Sequence, residues 1–161
     1  MEEIKINGII WSAHNSNVDK FQNGNVIPEA KTNEQWVKAA KNKKPVWCWS
    51  TESPEGNESL GKLYNWYAVT DTRGIAPIGW SVPSEKDLKS LSLNGKTLDK
   101  DIDLPKVGLR SYINGTRYSM NSVGYYWSRT EAVGKFAKAM TFSKKDFIIS
   151  NTDRGNGYSV R

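Results

Sequence analysis

Gly61-Lys-Leu-Tyr-Asn-Trp-Tyr-Ala-Val-Thr-Asp71, followed by Gly79-Trp-Ser-Val-Pro-Ser84, is the stretch on which the fold turns. Tyr64, Trp66, Tyr67 and Trp80 lie in it, and it closes on a proline and a helix-start signal. Rings at that density are either buried against one another or held out for a ligand. Residues 60–69 read as strand or helix, and the helical spacing of Leu63, Trp66, Tyr67 and Thr70 favours the helix. Ser84-Glu-Lys-Asp87 starts another, with Pro83 just outside it and acids in its first turn. Leu88 and Leu91 share one face of that helix, and Asn94-Gly95 is the expected end.

Working outward, Asn7-Gly8 between Ile4, Ile6 and Ile9-Ile10-Trp11 predicts a short hairpin or a strand entering the core. Residues 15–25, rich in Asn and Gly, read as a loop. Thr32-Asn-Glu-Gln35 fits a capping box, and Trp36, Val37, Ala39 and Ala40 supply the apolar stripe of a helix bounded by Pro45. Val46-Trp-Cys-Trp49 reads as a strand and residues 52–59 as an acidic loop. Asn114-Gly115 predicts a hairpin between strands 109–113 and 117–120. Further strands are expected at 125–128, 137–142, 147–149 and 158–160, with 151–157 as a polar turn. Helices early and antiparallel strands late define an α+β fold, with one domain over residues 1–161.

Composition narrows the function classes. The 161 residues include seven Trp and seven Tyr, so large aromatics build the core and each needs a partner for its polar atom. Mean hydropathy is −0.64, and no window is long and apolar enough to span a membrane. The net charge is +6, but the lysines are scattered, and Lys38, Lys41, Lys43 and Lys44 sit beside one helix as a solvated face. Nucleic acid is therefore not an expected partner. Cys48 is the single cysteine, so no internal disulfide exists; between two tryptophans it reads as a small buried hydrophobe. The first residues lack the basic region and apolar run of a signal peptide.

Catalytic chemistry finds little support. His14 is the one histidine, and no phosphate loop, GxSxG elbow or HExxH pair occurs. No enzyme activity, cofactor or metal is assigned. Asp99, Asp101 and Asp103 alternate and leave calcium open, while Lys100 and Lys106 stand near enough to neutralise them. Glu52, Glu55 and Glu58 form a second acidic group. Tyr112, Tyr118, Tyr125, Tyr126 and Trp127 offer a stacking surface, and Asn121, Ser122, Arg129, Asn151, Asp153 and Arg154 offer loop polar groups of the kind saccharides need.

One resemblance carries the reading further. The 61–69 run, Arg73-Gly-Ile-Ala-Pro77, Gly79-Trp-Ser-Val-Pro-Ser84, Gly124-Tyr-Tyr-Trp-Ser-Arg-Thr-Glu131 and Gly157-Tyr-Ser-Val-Arg161 together resemble the Fibrobacter succinogenes major paralogous domain. Asn7-Gly8 through Trp11, Asn15 to Asn17 and Ile27-Pro-Glu-Ala30 match the way that family begins. The family is common in Bacteroidetes and their phages and is similar to C-type-lectin-like domains of the formylglycine-generating type. The resemblance implies two helices packed on a small, irregular antiparallel sheet, with long loops on one side. Tyr64, Trp66 and Trp80 then become core. The reactive late cysteines of the enzymatic relatives are missing, as are the animal lectins' calcium signatures.

The expected function is a non-enzymatic binding or display module on a phage virion or bacterial surface. It would recognise a glycan or protein receptor through Tyr118, Asn121, Tyr125, Arg129 and Glu131. The alternative is an architectural decoration or cementing subunit of a capsid or tail, with a protein partner and no ligand of its own.

Overall fold

Asn7 and Gly8, at φ +48° and +82°, supply the two left-handed positions of a tight turn. They join β1 (Glu3–Ile6) to β2 (Ile9–Ser12) in the predicted hairpin, with Ile6 opposite Ile9. The computed structural model describes residues 2–52, 57–93, 96–97, 103–144 and 147–161. The capping box forms as read: Gln35 N donates to Thr32 Oγ1 and Thr32 N donates to Gln35 Oε1, each at 3.2 Å. It starts α1 (Asn33–Lys41), which buries Trp36 and Ala40.

The deciding stretch is organised differently from its spacing. β3 (Trp47–Trp49) and α2 (Asn57–Leu60), a helical turn where a loop was expected, precede β4 (Lys62–Tyr64). The expected helix within 60–69 is thus replaced by β4 and the single turn α3 (Trp66–Val69). Asn65 makes the switch. Its Oδ1 accepts from Ala68 N at 3.1 Å as an N-cap and from Val46 N at 3.2 Å, while its Nδ2 donates to Lys44 O at 2.8 Å. β4 pairs with β3, Cys48 opposite Leu63 and Trp47 opposite Tyr64.

α4 (Glu85–Lys89) carries the second capping box, Ser84 with Asp87. It ends at Ser90, earlier than expected, because β5 (Ser92–Leu93) follows and pairs with β6 (Lys96–Thr97). Asn94-Gly95 lies outside the described residues. The second predicted hairpin is shorter than read: β7 (Leu109–Arg110) pairs with β8 (Arg117–Tyr118), leaving residues 111–116 as the loop. β9 (Gly124–Glu131), β10 (Phe136–Phe142) and β11 (Phe147–Asp153) form an antiparallel sheet with β10 in the middle. Asn151, Thr152 and Asp153 belong to β11 rather than to a turn, since they pair with Lys138, Ala137 and Phe136. Residues 157–160 form no separate strand but bridge three others: Gly157 with Arg110, Tyr158 with Tyr64, and Ser159 with Tyr126.

Both main ribbons are covered on their two faces, and each separates two clusters of side chains. Trp127, Ala137 and Ala139 point into a central cluster with Tyr64, Trp66 and Tyr158. The next residues along the same strands, Tyr126, Met140 and Phe142, point the other way, to Trp11, Leu88 and Leu91. Likewise Trp47 and Tyr64 face the central cluster, whereas Cys48 and Leu63 face Trp36, Val46 and Val107. Each buried ring contributes about 4–6 kcal/mol of area burial before entropy is counted.

Four indole donors are matched to backbone carbonyls. Trp36 donates to Gly155, Trp47 to Ile27, Trp66 to Ser128 and Trp127 to Tyr64, at 2.7–3.1 Å. Trp11 Nε1 is buried with no partner among the described residues. Small antiparallel sheets with few, short helices make this an α+β protein. Among the described residues no helix is long and apolar enough to cross a membrane.

Candidate functional site

Arg110 fixes the most prominent loop. Its Nε donates to Gly115 O at 2.9 Å, Nη1 to Ala30 O at 2.8 Å and Nη2 to Asn33 Oδ1 at 3.3 Å, strapping loop 111–116 to the start of α1. Gly115 has φ +74°, and a Cβ there would lie 2.6 Å from Asn33 Cα, so the loop is pressed directly against the helix. Asn114 completes the frame, accepting from Thr116 N at 3.0 Å and donating to Tyr118 Oη at 2.8 Å. The result is a braced hairpin that exposes Ile113 (70 %) and Tyr118 (46 %).

Asn121 sits next along the chain, exposed in a turn in which Ser119 and Asn121 both take left-handed φ, +58° and +60°. Ser119 O accepts from Ser122 N, Val123 N and Ser122 Oγ, which holds the turn closed. Tyr118 and Asn121 are therefore neighbours in one loop region.

The other three expected site residues lie along β9. Tyr125 is half-buried and stacked on Tyr158, 5.1 Å between ring centroids. Arg129 is exposed, with its backbone N–H donating to Pro83 O at 2.9 Å. Glu131 accepts from Arg154 Nη2 at 2.6 Å, and the Arg154 guanidinium lies 4.5 Å above the Trp66 ring. Six residues of extended chain separate Tyr125 from Glu131 by roughly 20 Å. Tyr125 and Glu131 therefore stand too far apart to touch one small ligand. Glu131 and Arg154 line a broad, shallow depression of about 610 Å³ with Lys138 and Asn151.

Of the proposed stacking rings, Tyr126 and Trp127 are fully buried. Trp80, expected in the core, is only half-buried and lines a cavity of about 140 Å³ with Ile10, Trp11, Asp87 and Arg161. His14 is exposed and its Nε2 meets Glu2 Oε2 at 3.0 Å on the surface. Asp103 is exposed, while Asp99, Asp101 and Glu55 fall outside the described residues. Among the described residues no three His, Cys, Asp or Glu side chains gather as a metal site.

The α+β domain with these braced loops is of a recognised kind. The chain belongs to the Fibrobacter succinogenes major domain family, matched over residues 4–111. No curated protein and no solved structure matches it. The stretches 124–131 and 157–161 lie beyond the matched span.

Proposed function

We propose that the protein is a non-enzymatic binding or display module, recognising a glycan or protein on a phage virion or bacterial surface through loops on a C-type-lectin-like scaffold. The braced hairpin carries this reading: Ile113 in its loop and Tyr118 at the end of β8 stand exposed, and the loop is tied to the start of α1 through Arg110. Ordering entropy is thereby spent in folding rather than on contact with a partner. The scaffold assignment is supported by short helices beside a small sheet and by the contact of the last residue with the end of β2. Arg161 Nε donates to Ser12 O at 2.9 Å and its Nη2 to Ala13 O at 2.6 Å.

The test compares Tyr118→Ala, Asn121→Ala, Tyr125→Ala, Arg129→Ala and Glu131→Ala with the unaltered chain for binding to glycan arrays and to bacterial surfaces. Loss in the Tyr118 and Asn121 variants supports recognition by the hairpin region; loss only in the Arg129 and Glu131 variants moves the site to the far end of β9. Unchanged binding throughout rejects the loop assignment. Stable assembly with one partner protein, without glycan binding, favours the architectural reading.

A further inference from the structure

Arg110 carries a charge into the interior without a carboxylate to meet it. The residue is 1 % exposed, and its acceptors are two backbone carbonyls and one side-chain amide. Among the described residues no carboxylate oxygen lies within 4.0 Å of its guanidinium. Its other neighbours, the Trp36 ring with its centroid 5.1 Å from Cζ and the Cys48 thiol, carry no formal charge, so the buried cation retains part of its desolvation cost. Arg117 stands directly opposite it across the β7–β8 pair, and like charges so placed repel. The Arg117 side chain is 16 % exposed, with Nη2 donating to Trp49 O at 3.0 Å and Nη1 to Glu52 Oε1 at 3.3 Å. Its Nε is buried with no partner among the described residues.

Both arginines line one cavity of about 380 Å³. Their hydrogen-bond partners Ala30, Asn33, Trp49 and Glu52 line it too, as do Lys31 and Glu29, which pair with each other at 4.0 Å. Thr32, the N-cap of the nine-residue α1, is also part of the lining, so the helix adds partial positive charge. An anion held here would offset the buried charge and relieve the repulsion.

We propose that this cavity binds a carboxylate-bearing saccharide residue of the hexuronate class. A planar carboxylate matches the guanidinium fork. The volume suits a ring-sized body, near the lower end of small-ligand pockets. Half-buried Trp49 supplies apolar surface for the ring, and Thr32 and Asn33 supply polar groups for its hydroxyls. Inorganic phosphate would answer the charge alone. The site goes beyond the loop reading: it includes neither Tyr118 nor Asn121 and stands or falls apart from them.

Isothermal titration of the whole chain at low salt with glucuronate, glucose and inorganic phosphate tests it. Glucuronate should bind, phosphate more weakly, and glucose not measurably. Arg117→Gln should weaken glucuronate about tenfold, the loss of one charged hydrogen-bonding group. Glu52→Gln should tighten it several-fold, because the exposed Glu52 carboxylate occupies the Arg117 fork. Unchanged circular dichroism and melting would show both variants folded, and Ile78→Ala, at an exposed side chain outside the lining, should leave the affinity as it was. No glucuronate binding, equal binding of glucose, or indifference to Arg117→Gln in a folded variant overturns the proposal. Phosphate binding as tightly as glucuronate overturns the saccharide assignment.

Discussion

Trp127 Nε1 donates to the Tyr64 carbonyl oxygen at 2.7 Å, and the same oxygen accepts from Tyr158 N at 3.1 Å. One carbonyl therefore joins β9, β4 and the segment at 157–160. Trp127→Phe would keep most of the ring area and delete the indole donor, leaving the carbonyl its second bond. The expected cost is about 1–2 kcal/mol. It should show as a lower urea midpoint with an unchanged slope. A midpoint equal to that of the unaltered chain would remove this junction from the account.

Asp87 makes stability pH-dependent. The Ser84 hydroxyl donates to its Oδ2 at 2.7 Å and the Ser84 amide at 2.8 Å, holding the carboxyl below its ordinary value, with Arg129 and Lys86 adding charge attraction. A carboxyl lowered in the folded state stabilises above its unfolded pKa, about 3.9, and loses that contribution as pH falls through the folded value. The melting-temperature gap between the unaltered chain and Asp87→Asn should stay level from pH 7 to about pH 5 and narrow below about pH 4. A gap constant down to strongly acidic pH would contradict this.

Cys48 should be silent in the native protein. It is 2 % exposed, and burial pushes its thiol up, outweighing the lowering effect of Arg110 beside it. Labelling with a disulfide reagent should track the unfolding curve in urea. Rapid stoichiometric labelling in native buffer would show the thiol open.

Gly115→Ala and Gly8→Ala separate two kinds of glycine. Both have positive φ, but an added Cβ at Gly8 meets nothing within 4 Å, whereas at Gly115 it strikes Asn33 at 2.6 Å. Gly8→Ala should cost about 1 kcal/mol from backbone strain alone. Gly115→Ala should cost about 2 kcal/mol or more, since the loop must also leave α1. Equal losses would mean that the loop is not pressed onto the helix.

The sequence spoke most clearly where one local rule suffices. Thr32 with Gln35, Ser84 with Asp87, and Asn7-Gly8 each set their element through contacts within a few residues. The 60–69 stretch misled because β4 is buried on both faces, so its residues show no alternation. Leu63, Trp66 and Tyr67 then fall at helical spacing although Leu63 belongs to a strand. The signal for the break is Asn65, a good N-cap residue placed just ahead of the aromatic pair. Arg110 was not legible at all: nothing in Leu-Arg-Ser distinguishes a buried strap from a surface cation, because its acceptors at Ala30 and Asn33 are distant in sequence.

The bridges made by residues 157–160 bear on how the molecule comes together. The edges at Tyr64, Arg110 and Tyr126 wait for one late segment, so no earlier portion of the chain is a complete folding unit. Local hairpins such as β1–β2 can form quickly, but closure depends on bringing distant pieces of chain to one place, which is the slow step. A single protease nick in the turn at 154–156 would therefore unravel the domain rather than trim it.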